Sequence, residues 1–170
     1  MRFVGIDPST KTGMVILDRD GRLLDSFEVT AKGTDPERML TIVESTLENI
    51  EANDLVVIEG FGFASQSGFL LGGIGWGIRM ELFARGIKYL EAAPTALKKY
   101  ASGKGNTKKD ELAVHIYKQW GFESKSDNVR DAFVLAHIAR SIRMGTASTK
   151  YQQEVVQAIL EPPVKQKKRA

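Results

Sequence analysis

The chain has 170 residues, 24 Lys and Arg against 21 Asp and Glu, a net charge of +3 and no cysteine. That length carries one α/β domain with a full core and not two, and the missing cysteines exclude disulfides, zinc–thiolate centres and thiol nucleophiles, so that a metal would be held by oxygen or by one of the two histidines. No basic-then-apolar leader opens the sequence and no apolar run approaches the roughly 18 residues of a membrane span, so the expectation is a protein with no membrane partner, cytoplasmic, or in the host cytoplasm if phage-encoded. Residues 2–6 read as a buried strand ending at Asp7, residues 13–17 as a second and 23–29 as a third. The turn Asp18-Arg-Asp-Gly21 between the last two has hairpin chemistry, giving an antiparallel meander. Asp35-Pro36 starts a helix with Asp as cap and Pro in the first turn; Met39, Ile42, Val43, Thr46, Leu47 and Ile50 recur through it at helical spacing. Leu55–Ile58 is a β-branched strand ending in Glu59, and a strand that follows a helix runs parallel to the first. A loop over 60–67 leads to an apolar helix over 68–84, ended near Gly86, and to a fifth strand over 87–91. Pro94 opens a short helix, residues 102–106 form a loop, and Thr107-Lys-Lys-Asp110 resembles a capping box that starts a helix to about Trp120. A last core helix spans about 127–143. Residues 1–147 are expected to form the single domain, and 148–170, with Pro162-Pro163 and Lys165–Arg169, a basic tail, partly helical or disordered.

The order βββ-α-β-α-β-α-α predicts an α/β fold: a mixed five-stranded sheet, antiparallel meander plus parallel strands, flanked by helices on both faces. That is the RNase H-like topology. Actin-like ATPases share it, so topology leaves function open; a single domain of this length lacks the second lobe that would enclose a nucleotide, and no nucleotide cofactor is expected. Asp7 and Glu59 end two strands expected to be parallel neighbours, so both emerge at one sheet edge. Asp127 and Asp131 are four apart on the last helix and share a side of it, and Asn128 can join them. Each has a plain alternative: Asp7 and Glu59 as strand-end or turn acids, Asp127 as a helix cap, Asp131 as a paired acid at an apolar border. Carboxylates that converge repel one another unless cations fill the gap. Hard oxygen ligands point to Mg2+, with Mn2+ able to substitute, and two such ions per site suit phosphodiester hydrolysis.

At these residues the sequence resembles the RuvC family of Holliday-junction resolvases, in its phage and bacterial branch. The pieces that carry the likeness are Gly5-Ile-Asp-Pro-Ser9 with Thr12-Gly13, Val57-Ile-Glu-Gly60, Ala93 through Asn106 with Lys108-Lys109, and Asp127-Asn-Val-Arg-Asp-Ala132, in family order over most of residues 1–145. The resemblance implies Asp7, Glu59 and Asp131 as metal ligands. The family often places an acid or other ligating side chain three before the final Asp, where this chain has Asn128; either Asp127 or the carbonyl oxygen of Asn128 takes that place, and Asp127 is favoured for its charge. It also implies a structure-selective endonuclease that resolves four-way DNA junctions as a homodimer. The alternatives are an RNase H-fold nuclease cutting flaps, other branched DNA or RNA–DNA hybrids, and a non-enzymatic nucleic-acid-binding or scaffold protein on the same fold.

Charge placement and aromatic residues fit a nucleic-acid partner. Residues 150–170 hold five Lys/Arg and two Glu, so residues 1–149 balance to zero; yet Lys98, Lys99, Lys104, Lys108 and Lys109 fall in one acid-free stretch. These lysines would hold phosphates without reading bases, with Lys11 beside Asp7 a further candidate. Phe61 and Phe63 lie just past Glu59, where exposed rings can stack on unpaired bases. The helix that follows is apolar nearly all round and rich in glycine, each costing up to about 1 kcal/mol relative to Ala. One face is expected on the sheet and another, with Gly68, Gly72, Gly73, Trp76, Gly77 and Met80, on a twin subunit. His115 and His137 match no ligand pattern and read as surface or packing residues.

Overall fold

The computed structural model describes residues 1–61 and 68–162, with the side chains of residues 68–71 outside the description. In chain order the elements are β1 (Phe3–Asp7), β2 (Lys11–Leu17), β3 (Leu23–Thr30), α1 (Glu37–Glu48), β4 (Leu55–Glu59), α2 (Gly68–Ala84), β5 (Tyr89–Ala92), α3 (Pro94–Ser102), α4 (Lys109–Trp120), α5 (Asp127–Met144) and α6 (Lys150–Leu160). The sheet order is β3-β2-β1-β4-β5. β1 pairs antiparallel with β2 and parallel with β4, and β5 extends the sheet in parallel beyond β4. This is the expected mixed five-stranded sheet.

Alternation along the strands sorts the core into two halves. Val4, Ile6, Met14, Ile16, Val56 and Ile58 pack with Ile42, Val43 and Leu47 of α1 and Ile74, Ile78 and Leu82 of α2. Phe3, Val15, Leu17 and Val57 face the other way, onto α5 and the helices around it. Helix α5 is held against β1 and β2 by the absence of side chains on the strands. An ideal Cβ on Gly5 would lie 1.9 Å from the carbonyl oxygen of Ala132, and one on Gly13 would lie 2.1 Å from that of Asn128. Helix backbone therefore rests on strand backbone. Asp7 and Glu59 continue the alternation of Gly5 and Val57, so both belong to the face that α5 covers.

Two local expectations are revised. Helix α1 begins at Glu37 with Pro36 in the cap position and no side-chain cap; Asp35 is instead engaged by the Arg38 guanidinium at 2.9 and 2.8 Å. Thr107 does not cap α4, whose cap residue is Lys108. Its hydroxyl is buried in the preceding loop, 2.6 Å from the Ser102 hydroxyl and 2.9 Å from the Lys104 carbonyl it donates to. A capping box does form at α6, between Thr149 and Gln152. Within the segment expected as a tail, Val155 of α6 is buried and Val156 and Ile159 pack beside it on the α5 side of the core; residues 163–170 lie outside the described residues. Among the described residues no helix is long and apolar enough to cross a membrane.

Candidate active site

Three chain segments bring acids into one neighbourhood. Asp7 ends β1, Glu59 ends β4 beside it, and Asp131 projects from the first turns of α5, which Gly5 and Gly13 admit close to the sheet. Asp7 is buried and hydrogen-bonded to Glu59. Burial pushes its proton affinity well above the ordinary carboxylate range, and the negative charges of Glu59 and Asp131 push it further. Glu59 is also raised, by burial, against the opposing pull of its bond to Asp7 and of Lys98 and Lys109. Asp131 is pushed up to about 7, by burial first and then by the charge of Glu59. A site that concentrates negative charge where water is scarce holds protons in the absence of a cation, and its donors are all hard oxygens.

That chemistry fits Mg2+ or Mn2+, although among the described residues no three Asp, Glu or His side chains are gathered closely enough to form a ready cage for an ion. Asp127 stands at the rim, not among the other three. It is paired with Lys109 at 2.9 Å and with Arg130, and these cations hold it below the ordinary range, the Lys109 bond first. Asn128 turns its amide nitrogen onto the β1–β2 loop, donating to the Ser9 hydroxyl at 3.0 Å and the Lys11 carbonyl at 2.7 Å. Ser126 caps α5 through the Val129 amide and donates to Glu28 on β3.

The lysines divide. Lys98 and Lys109 both act on Glu59 and Asp131. Lys99 is drawn away into an ion pair with Glu154 of α6 at 2.8 Å. Lys11, Lys104 and Lys108 are exposed. Phe61 is 38% exposed and stacks on Trp76 with centroids 5.6 Å apart; Phe63 lies outside the described residues.

On α2 the six residues assigned to a twin subunit separate as well. Gly73 and Gly77 face α1 of the same chain, where added Cβ atoms would meet Met39 at 2.2 Å and Val43 at 2.7 Å. Among the described residues a Cβ on Gly72 would meet nothing within 4 Å, and Trp76 and Met80 are exposed with Phe83 in the same stripe, at 56%, 61% and 83%. Gly68 begins the helix, in the stretch whose side chains are not described. His137 is buried and stacked on Trp120, its proton affinity lowered to about 3 by burial, as a packing residue's would be, and His115 is on the surface of α4.

Sequence reasoning missed Arg79. Its side chain is 1% exposed, donates to the Glu59 carbonyl, and lies against the ring of Phe61. An arginine in a helix whose one other charged residue is Glu81 was the available signal. The structural roles of Gly5 and Gly13 were also missed; glycines alternating with β-branched residues in a strand mark close backbone approach.

The sheet order, its helices on two faces and the acids at the ends of its central strands define an RNase H-like fold. Among solved structures the chain resembles RuvC of Thermus thermophilus, with a TM-score of 0.66 and 23% identity over 86% of this chain and 98% of that one. It resembles equally T. thermophilus RuvC in complex with a Holliday junction substrate, at 0.64 and 22% over 86% and 97%. The fold is thus RuvC-like. No family model matches the chain.

Proposed function

We propose that this chain is a divalent-metal-dependent endonuclease that cuts branched DNA, with the four-way junction as substrate and a homodimer as the acting species. One observation carries the reading: Asp7, Glu59 and Asp131 arrive from three elements in one desolvated neighbourhood, with Lys98 and Lys109 beside them. Asp7, Glu59 and Asp131 would hold the ions, two per site. Asp127 becomes available as a fourth carboxylate only when Lys109 or Arg130 releases it, and the carbonyl oxygen of Asn128 is the other source. Bound Mg2+ or Mn2+ would supply Lewis acidity toward the phosphodiester and the attacking water. The chain's own cations do the rest. Lys109 and Lys98 offset the charge of an incoming backbone phosphate, and the exposed Lys11, Lys104 and Lys108 extend that contact without reading bases. Phe61, backed by Trp76, offers a face for an unpaired base.

The apolar stripe of Gly72, Trp76, Met80 and Phe83 supports the homodimer, since a twofold pairing of such stripes hides them from water. Two sites related by a twofold suit a junction whose symmetric strands are cut in pairs. The RuvC–junction complex, on the same fold, supports the choice of substrate.

The test is cleavage of a synthetic four-way junction beside linear duplex and flap, in Mg2+ and in Mn2+, with binding followed separately in Ca2+. The junction should be cut in preference to the others, and Asp7→Asn should bind it while cutting nothing. Indifference to branching, or full activity in Asp7→Asn, defeats the proposal.

A further inference from the structure

Behind the sheet edge that carries Glu59, one buried guanidinium joins the carboxylate's backbone to the exposed aromatic pair. Arg79 uses its three nitrogens in three directions: Nε donates to Glu91 Oε1 at 2.7 Å, Nη1 to the Gly75 carbonyl at 2.9 Å and Nη2 to the Glu59 carbonyl at 2.8 Å. Its central carbon lies 4.3 Å from the centroid of the Phe61 ring, within cation–π range. Phe61 in turn stacks on Trp76. The absence of a side chain at position 75 makes room for this arrangement, because a Cβ there would come within 2.9 Å of Phe61 and 3.1 Å of Arg79 Nη1.

Packing alone does not account for a charge in this place, since an apolar side chain would fill the volume with no ion to compensate. The fork does what an apolar side chain cannot: it gives direction to a peptide plane. Glu59 ends β4, and the chain then turns, with the Gly60 amide held by the Ala92 carbonyl at 2.8 Å. Fixing the carbonyl of Glu59 on one side and the amide of Gly60 on the other sets the plane between them, and with it the direction in which the Glu59 side chain leaves the backbone. The carboxylate points to the α5 face while Arg79 approaches from α2, so its influence passes through the backbone and not through charge.

We propose that Arg79 is a positioning residue that couples the Phe61–Trp76 surface to the Glu59 carboxylate, so that what happens at the aromatic pair is felt at the metal-binding acids. This rests on the nuclease reading above, and the experiment separates the two. Mn2+ binding to the free protein, without DNA, is measured by calorimetry for wild type, Arg79→Lys, Phe61→Leu and the double variant, with thermal melts recorded on each sample. Single-turnover cleavage rates and junction affinity in Ca2+ are measured alongside. Lysine keeps the charge toward Glu91 but loses the fork and the flat stack. Arg79→Lys should weaken Mn2+ binding about tenfold, as loss of a partner that orients a ligand does, and slow single-turnover cleavage by a similar factor while junction affinity stays within about threefold. Phe61→Leu should also weaken Mn2+ binding, though its ring is no ligand, and the double variant should be no worse than Arg79→Lys. Should Arg79→Lys fail to fold, Phe61→Leu, at a half-exposed position, decides alone. Wild-type Mn2+ affinity in Phe61→Leu overturns the coupling, as do additive losses in the double variant. Failure of the wild type itself to bind Mn2+ would instead bring down the nuclease reading.

Discussion

Asp131→Asn should make the metal-free protein more stable at alkaline pH while removing the nuclease activity proposed for it. Burial and the charge of Glu59 raise Asp131 from an ordinary 3.8 to about 7. The folded chain therefore keeps a proton that the unfolded chain gives up above pH of about 4. Stability is greatest below that pH, falls as pH rises toward about 7, and levels off once the carboxylate is ionised in both states. At roughly 1.4 kcal/mol per pH unit, the gap amounts to about 4 kcal/mol. Asparagine carries no charge and escapes that cost, less a share for amide hydrogens that need acceptors. The net gain at pH 8 should be about 2–4 kcal/mol, a rise of roughly 4–15 °C in the melting midpoint for a chain of this size. Removing one charge also relieves Asp7, which Asp131 helps to raise. The assay is a set of thermal melts in a chelator at pH 4.5 and pH 8, repeated with Mg2+. The difference between variant and wild type should shrink to under about 1 kcal/mol at the lower pH, and Mg2+ should raise the wild-type midpoint but not that of the variant. If Asp131→Asn melts at or below wild type at pH 8 without metal, the claim that this acid is strained by its surroundings is refuted.

Other outcomes follow from the same geometry. Gly5→Ala drives a methyl into the Ala132 carbonyl, 1.9 Å away with no flexible atom to yield; chemical denaturation should show a loss of about 3 kcal/mol or more, beyond ordinary overpacking. Lys98→Gln with Lys109→Gln should weaken junction binding and reduce the slope of log affinity against log salt by about 2, since each lysine would release roughly one counterion; an unchanged slope removes both from the phosphate contact. Met80→Glu places a charge in the exposed stripe of α2 and should yield monomers in sedimentation with the fold intact, whereas an unchanged oligomer moves the subunit contact elsewhere.

How much of this could be read from sequence depended on whether a residue's partners were near in the chain. β1 and β4 declared themselves as short apolar runs, α1 through apolar residues at helical spacing, and Asp7 and Glu59 through their place at the ends of those runs, because such signals are local. Helix α2 marks the limit. A helix apolar nearly all round does not say which face meets which neighbour, so Gly73 and Gly77 read as readily toward a twin subunit as toward Met39 and Val43 of α1, where they lie. Thr107 has the composition of a cap, but its hydroxyl found closer partners in Ser102 and Lys104. The separation of Lys99 from Lys98 and Lys109 rests on Glu154, an acid in a segment that composition marked as tail. Arg79 reaches Glu59 across twenty positions and Glu91 across twelve, and no local pattern encodes that.

Where α5 lies on β1 and β2, main chain meets main chain at Gly5 and Gly13, with no rotamer in between to give way. The spacing between Asp131 and the strand that bears Asp7 is accordingly set by covalent geometry and van der Waals radii, and is insulated from side-chain rearrangement elsewhere. Apart from Arg79 and Gly75, which reach Glu59 from α2, the α1–α2 half of the interior could be redesigned as a mutable layer with Asp7 and Asp131 on the opposite face keeping their distance; the reverse experiment, altering the strand glycines, has no such freedom.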